Sequence, residues 1–284
     1  MFGFLNVYKP SGITSHDVIS RLRKILHIKK IGHAGTLDPL AEGVLPVAIS
    51  NATKLIDFLP DEKEYIAEFK LGFTSKSYDT ECELEFYSSK KVKAEDICEV
   101  LKSFKGEIKQ TPPIYSAIKV NGKKLYELAR EGERADIPER TIVVEKIELK
   151  EFDEENQIGK LLVACTKGTY IRSIINDIGK ILDTGAVMTG LIRSKSGGMQ
   201  LETSVNLNDI TSEDIVKTHL IDVNEILKFA ETEIDDQDFK KVKNGNPIKR
   251  ENVTGNVFVL KNGEIIAYGE GKNGLVKMRK VFVN

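Results

Sequence analysis

The segment Gly32–Gly43 constrains the fold more than any other part of this 284-residue chain. It holds three glycines, one proline and one histidine within twelve residues, and the carboxylate of Asp38 lies near its middle. No regular helix or strand has this composition, because glycine supplies backbone freedom and proline removes an amide donor. The segment is therefore predicted to be a shaped loop that presents a few polar side chains. A simple turn, in which Asp38 bonds its own backbone, is the alternative.

Basic residues surround this loop. Between Asp17 and Asp38 the chain has no acid, but it has Arg21, Arg23, Lys24, Lys29 and Lys30. The net charge is only −1, yet further basic clusters occupy 240–250 and 272–280. Grouped basic residues can form a phosphate-binding face on a neutral protein, although any one cluster is equally compatible with solvated surface. The pattern favours a protein that acts on a polyanion.

The composition limits the class of protein to which the chain can belong. Hydrophobic residues make up 40% of the chain, and its length allows one large domain and a small one. The three cysteines are far apart and the four histidines lack metal-ligand spacing, so neither a disulfide framework nor a zinc site is predicted. No segment approaches the ~18 apolar residues of a membrane span, and no signal-peptide pattern is present. Cytoplasmic residence is expected.

Hydrophobic periodicity places the loop among regular elements. Strands are predicted at 4–8, 44–49, 65–71, 141–149 and 160–166, and helices at 15–26, at 94–104 and from 171 onward. Ser15 is the expected N-cap of the first helix, and Pro46 argues that its strand is an edge or carries a bulge. Arg172 lies in the first turn of its helix, off the apolar stripe, where the helix dipole disfavours a cation. The sequence therefore predicts a specific anionic partner for Arg172.

Two later stretches differ from the rest of the chain in amino-acid composition. Residues 110–133 interleave tyrosine with lysine and arginine, and Asn121-Gly122 predicts a hairpin turn followed by a short helix that breaks at Gly132. Such a protruding element suits nucleic-acid binding, and a charged surface helix is the alternative. After about residue 230, an acidic stretch leads into short strands with Asn-Gly turns at 244–245, 262–263 and 273–274. This pattern predicts a small all-β unit.

Together these motifs resemble one family, the bacterial TruB-type tRNA pseudouridine-55 synthases, over nearly the whole chain and in the family's order. The matching motifs are Val7–Ser15, Gly32–Ala41, Lys63–Tyr65, Tyr115–Arg130, Lys167–Ser173 and Leu191–Arg193. One loop departs from the family pattern. Asp79 stands where the family keeps an acid that supports the site arginine, but a lysine replaces the acid before it. The departure leaves the contacts of 73–81 open.

The resemblance implies an α+β fold, with a mixed, mainly antiparallel sheet, flanking helices and a small all-β PUA-like domain. It implies a catalytic domain over 1–230 with an RNA-binding insertion at about 110–133, and the PUA-like domain over 235–284. The implied reaction isomerises one uridine in the T-arm of tRNA to pseudouridine. The resemblance implies no cofactor, no metal, no membrane and no obligatory protein partner.

The resemblance also implies roles for the site residues. Asp38 would be the nucleophile, by attack at C1′ of the sugar, by attack at C6 of the base, or by assisting elimination. Arg172 would keep Asp38 ionised, Tyr65 would stack on the flipped base and take part in proton transfer, and Leu191 would form an apolar floor. The residues implied in substrate binding are Lys9, His33, Asp79, Tyr170, Leu191, Arg193, Lys119, Lys123, Lys124 and Arg130. Among these, Lys9 would support the loop, Asp79 would hold Arg172, and His33 would fill the space left by the flipped base.

Three rival functions use some of the same features. A noncatalytic tRNA-folding chaperone would use the same surface without needing Asp38, Tyr65 and Arg172. A guide-RNA-dependent relative is expected to carry extra sequence before the first motif, which here begins within ten residues of Met1. A glycoside hydrolase would need a second placed carboxylate in the loop. The stand-alone synthase is the favoured interpretation.

Overall fold

The structure, a computed structural model, describes residues 1–116, 119–120, 123–125 and 137–283, and its strands form two larger sheets and two short hairpins. In chain order they are β1 (Gly3–Lys9), β2 (Ile31–His33), β3 (Glu42–Ile49), β4 (Lys63–Leu71), β5 (Phe73–Thr74), β6 (Glu85–Phe86), β7 (Gly106–Gln110), β8 (Lys119–Val120), β9 (Lys123–Lys124), β10 (Arg140–Asp153), β11 (Ile158–Cys165), β12 (Ala186–Ser196), β13 (Met199–Gln200), β14 (Val205–Asn206), β15 (Leu220–Ile221), β16 (Ala230–Glu233), β17 (Ile248–Lys249), β18 (Gly255–Lys261), β19 (Glu264–Lys272) and β20 (Leu275–Val281).

The described helices flank these strands. They are α1 (Ser15–Leu26), α2 (Ala94–Leu101), α3 (Ile171–Ile181), α4 (Glu213–Thr218), α5 (Val223–Leu227) and α6 (Asp236–Lys243). Short 3₁₀ segments occupy Ser50–Phe58, Lys102–Phe104, Leu201–Thr203 and Leu207–Asp209. Within the described ranges, no helix has the length and apolar character needed to cross a membrane.

One large mixed sheet organises the first part of the chain. Its strand order is β14-β1-β3-β12-β4-β11-β10-β7, with β2, β13 and β15 paired at its sides. The β1–β14 and β3–β12 ladders are parallel and the other ladders of this sheet are antiparallel, which confirms the expected mixed, mainly antiparallel sheet. On β4 the buried residues alternate from Tyr65 to Leu71, as the sequence predicts for a half-buried strand.

The start of α1 differs from its prediction. Thr14, not Ser15, is the N-cap, and it forms a capping box in which the Asp17 amide donates to Thr14 Oγ1 at 3.1 Å. Ser15 is buried and its hydroxyl bonds the backbone of Leu37, 22 residues away. A serine beside a threonine offers two possible caps, and the tertiary contact with the loop decides between them.

Pro46 also contradicts its prediction, because β3 is an interior strand and its ladder with β1 has no bulge. The Pro46 carbonyl oxygen accepts from the Ala34 amide at 2.9 Å, so its nitrogen faces the same side as β2 and β12. On that side β12 pairs with Glu42 and Gly43, and β2 pairs with 47–49. Pro46 therefore lies between the two ladders, where its missing N–H disrupts neither.

The second sheet has the order β16-β18-β19-β20-β17. Asn262-Gly263 and Asn273-Gly274 connect its hairpins with positive φ at both residues, as a type I′ turn requires. Asn244-Gly245 instead ends α6, a helix that the sequence analysis misses. The sheet also includes 230–233, which precede the boundary predicted at residue 235.

The two sheets share a hydrophobic cluster. Phe4 and Leu55 from the first part of the chain pack with Phe258 and Tyr268 from the second sheet, and all four are buried. At the rim, the Asn51 amide donates to the Phe282 carbonyl at 2.8 Å. The C-terminal sheet is therefore joined to the main sheet through a common core.

The predicted insertion is only partly described. Lys119 pairs with Lys124 and Val120 with Lys123 in an antiparallel ladder, which confirms the hairpin expected around Asn121-Gly122. For Lys119, Lys123 and Lys124 the description is limited to the backbone. Arg130 and the short helix predicted after the hairpin lie outside the described residues.

Candidate active site

The Gly32–Gly43 loop is fixed at several points. The Leu37 amide donates to Ser15 Oγ at 2.8 Å, and the Gly12 amide donates to the Pro39 carbonyl at 2.8 Å. Gly43 has φ +101°, and a Cβ at this position would collide with the Arg193 carbonyl oxygen. These contacts show why the composition is that of a shaped loop, and they place Asp38 at the mouth of a pocket.

Two buried cationic side chains support the loop through hydrogen bonds to backbone carbonyls. Arg193 is fully buried and donates from Nε to the Val44 carbonyl at 2.7 Å and from Nη2 to the Gly35 carbonyl at 3.1 Å. Lys9 is fully buried, and its Nζ donates to the Ile13 carbonyl at 2.7 Å. Burial lowers the pKa of Lys9 to about 8, against the opposing attraction of Asp38. Both residues contact loop backbone, so the geometry gives them a positioning role rather than direct access to substrate.

Arg172 joins Asp38 to Asp79. Its Nη2 lies 2.9 Å from Asp38 Oδ2, and its Nη1 lies 3.0 Å from Asp79 Oδ2. Arg172 is 4% exposed and Asp79 is fully buried, whereas 37% of the Asp38 side chain is exposed. Asp79 is held in turn by Ser77 Oγ at 2.5 Å and by the Glu81 amide at 3.0 Å. The arginine thus has the anionic partners that its position on α3 predicts.

The charges of this network act on Asp38 in opposite directions. Burial raises the pKa of the Asp38 carboxyl, Arg172 lowers it, and the like charge of Asp79 raises it again. The pKa of Glu81 is also raised, first by burial and then by the charges of Asp79 and Asp38. Arg172 therefore offsets the tendency of a desolvated carboxylate to take up a proton.

The pocket beside Asp38 has a volume of about 180 Å³. Its lining residues are Thr36, Leu37, Asp38, Lys63, Tyr65, Ser116, Gly168, Thr169, Tyr170, Ile171, Arg172 and Leu191. Tyr65 lies opposite Arg193 in the β4–β12 ladder, and burial raises the pKa of its phenol, which stays protonated at neutral pH. Tyr170 precedes α3 and its amide donates to Gln110 Oε1 at 2.8 Å. An aromatic side, an apolar side and one carboxylate suit a planar, partly polar ligand.

The structure brings five of the thirteen predicted site residues together in one pocket. Asp38, Tyr65, Tyr170, Arg172 and Leu191 line one pocket. His33 ends β2, and burial lowers the pKa of its imidazole, which is neutral at pH 7.

Ser77 and Glu81 hold Asp79, and their local sequence gives no sign of these contacts. Ser15 and Lys63 belong to matching motifs, but the sequence assigns neither of them a role in the site. Among the described residues, no cluster of three or more potential metal ligands occurs.

Several known proteins are similar to this chain in sequence and in fold. The profile of the TruB family pseudouridylate synthase, N-terminal domain, matches residues 23–171. The chain is 42% identical over 291 residues to tRNA pseudouridine synthase B of Carboxydothermus hydrogenoformans, which covers 99% of both chains. It is 39% identical over 292 residues to tRNA pseudouridine synthase B of Clostridium kluyveri, which covers 100% of both.

A solved structure of an H/ACA RNP bound to a substrate RNA containing 2′-deoxyuridine superimposes with a TM-score of 0.72 and 28% identity. The match covers 100% of this chain and 86% of that chain. The family profile, the full-length relatives and the fold agree, and the chain belongs to the TruB family of pseudouridylate synthases.

Proposed function

We propose that the protein is a tRNA pseudouridine synthase that isomerises uridine 55 in the T-arm. The relatives named as tRNA pseudouridine synthase B match over their full length, which supports tRNA as the substrate. The observation that carries the proposal is the Asp38–Arg172–Asp79 network beside a pocket whose aromatic and apolar lining suits a uracil ring. Catalysis in a cytoplasmic, stand-alone enzyme is part of the proposal.

The reaction is balanced without an external group donor. The N1–C1′ bond breaks, the uracil turns within the pocket, and C5 bonds to C1′. The proton lost from C5 is matched by the proton gained at N1. Carboxylates are established nucleophiles at sugar carbons, and Asp38 is the carboxylate that reaches the pocket. Its attack at C1′, its attack at C6 and its assistance of elimination each fit this balance.

Arg172 supplies the charge that an ionised, partly desolvated Asp38 needs. Asp79 holds the guanidinium in place at 3.0 Å. Tyr65 presents a neutral aromatic ring on which the uracil stacks, and Leu191 supplies an apolar contact in the same pocket. When the base occupies the pocket, the phosphates of the RNA lie outside it. Basic residues of the insertion and of the C-terminal sheet bind these phosphates.

The target base must leave its stack before it reaches this pocket. Extrusion of a base costs a few kcal/mol. His33 is neutral at pH 7, so its ring can occupy the space left by the uridine without placing a charge among the stacked bases. The noncatalytic RNA-folding function would use the same binding surface and would need no ionised Asp38.

Tritium release from tRNA transcript labelled with [5-³H]uridine tests the proposal. The wild-type protein is expected to release tritium, and Asp38→Asn is expected to bind the transcript with no release. Asp209→Asn, at an exposed position outside the pocket, is the matched control and should behave as wild type. Tritium release by Asp38→Asn at the wild-type rate would refute the role of Asp38. No release from the wild type with tRNA still bound would refute the catalytic proposal and support the folding function.

A further inference from the structure

A second cavity adjoins the pocket of Asp38. Its volume is about 340 Å³, and it lies between the loop at Ala34 and Gly35, the segment 56–61, and the side chains of Lys63 and Lys167. Lys63 lines both cavities. Gly35 lines the second and its neighbour Thr36 lines the first. A thin wall of loop backbone and the Lys63 side chain therefore separates the two spaces.

Lys63 reaches this position because of its place on β4. It precedes Tyr65 by two residues, so both side chains leave the same face of the strand. Its Nζ lies 3.0 Å from the point where a Cβ on residue 35 would stand, and Arg193 Nη1 lies 3.5 Å from the same point. The ammonium group is thus held against the loop, close to a second cation.

No ion pair neutralises Lys63 within the described part of the chain, because Asp61, the acid that attracts it across the second cavity, is paired with Lys167 at 3.0 Å. Among the described residues its Nζ has no hydrogen-bond acceptor or ion-pair partner, whereas Arg193 donates to the carbonyls of Gly35, Thr36 and Val44. The side chain is half-buried. A desolvated cation beside another cation is unfavourable unless an anion completes the site.

The second cavity has the chemistry of a nucleobase site. Ala34, Ile56, Leu59 and Pro60 form an apolar side against which the face of a base can pack. The carboxylates of Asp57 and Asp61 can accept hydrogen bonds from the N–H edge of a base, and Asp61 is itself paired with Lys167 at 3.0 Å. Asp57 and Asp61 would repel a phosphate inside the cavity, and Lys167 is already paired with Asp61, so Lys63 at the edge of the cavity is the cation left to bind one.

We propose that the second cavity binds the nucleotide covalently joined to the target uridine, and that Lys63 binds the phosphodiester between them. This inference rests on the proposed function, since it assumes that uridine occupies the pocket of Asp38. Two bases that are consecutive in RNA share one phosphate, which must then lie between the two cavities. Lys63 is the cation at that junction.

The first experiment varies the RNA and leaves the protein intact. A T-arm stem-loop is compared with two versions that lack the base on the 5′ or the 3′ side of the target uridine. One of the two abasic versions is expected to bind the wild-type protein about tenfold more weakly, which corresponds to the loss of one stacked base. Equal affinity for all three RNAs would overturn the proposal.

The second experiment varies the protein. Lys63→Met is expected to weaken binding of the intact stem-loop about tenfold, because it removes a hydrogen bond to a charged group. It should also lower the salt dependence by about one phosphate contact, and Lys63→Arg should restore it. Lys70→Gln, on the same strand and outside both cavities, is the charge-matched control and should keep wild-type affinity and salt dependence.

A variant that fills the second cavity is measured with both the intact and the abasic RNA. Ala34→Leu should weaken binding of the intact stem-loop as much as removal of the neighbouring base does. Ala34→Leu and the abasic RNA together should weaken binding no more than either change alone. Additive losses would place the neighbouring base elsewhere and refute the proposal. Tritium release by the wild type on the intact stem-loop tests the proposed function separately. Normal release with an unaffected Lys63→Met variant would refute only the second site.

Discussion

Replacing Arg172 with methionine tests whether this guanidinium keeps Asp38 ionised. Its Nη2 lies 2.9 Å from Asp38 Oδ2, and burial already raises the pKa of that carboxyl. Two unit charges about 4 Å apart attract by about 4 kcal/mol at an effective dielectric constant of about 20. Because 37% of the Asp38 side chain is exposed, solvent screening reduces this energy to about 2 kcal/mol.

The loss of this attraction sets a direction for the pH–rate profile. Without the guanidinium the pKa of Asp38 rises further, and about 2 kcal/mol moves the acid limb of single-turnover tritium release upward by about one pH unit or more. Asp79→Asn removes a like charge that raises the pKa of Asp38, so its acid limb should move to lower pH. The two single variants are therefore expected to shift the profile in opposite directions.

Stability must be separated from this effect. Arg172→Met leaves Asp79 buried without its guanidinium, and removal of one partner of a buried pair costs about 3–5 kcal/mol. The double variant Arg172→Met with Asp79→Asn removes both buried charges, and its acid limb should still lie above that of the wild type, because Arg172 acts on Asp38 more strongly than Asp79 does. Thermal melts set the assay temperature, and Lys180→Met on the same helix is the control. An acid limb that stays in place or moves to lower pH in Arg172→Met would refute the reasoning.

Arg193→Met should lower the free energy of unfolding by about 3 kcal/mol in denaturant titrations, because it leaves buried loop carbonyls without a donor; an unchanged midpoint would contradict this. RNA binding should weaken as pH rises through about 8, because burial lowers the pKa of Lys63 to about 8 and only the protonated form binds phosphate. The groups that face Lys63 are Arg193 and Lys167, which lower this pKa, and Cys165 and Asp61, which raise it. Lys63→Arg should move the loss of binding to higher pH, and a profile identical to that of the wild type would exclude Lys63 as its source. Phe258→Ala should cost about 3–5 kcal/mol and destabilise both sheets together, which hydrogen exchange can follow; exchange confined to the second sheet would argue against the shared core.

Local sequence patterns predict several of the strands and helices, and they single out residues with the chemistry that a site needs. Alternation from Tyr65 to Leu71 predicts β4, because side chains on a strand point to opposite faces in turn. The glycines and the proline of Gly32–Gly43 predict a shaped loop, which the structure has over 34–41, because 32–33 end β2 and 42–43 begin β3. Arg172 stands in a helical turn where a cation needs an anionic partner. These are local properties, so the chain carries them without reference to the rest of the fold.

Long-range packing sets which of these residues line the pocket and which hold the loop. The resemblance implies that Arg193 binds substrate and that Lys9 supports the loop; both are buried and donate to backbone carbonyls, Arg193 to one that is 149 residues away. The role of Ser15 depends on its bonds to the backbone of Leu37, and that of Pro46 on the strands that flank β3. The second cavity exists because the loop lies over the start of β4. The physical reason is that burial and hydrogen-bond partners are set by long-range packing, which side-chain chemistry alone does not specify.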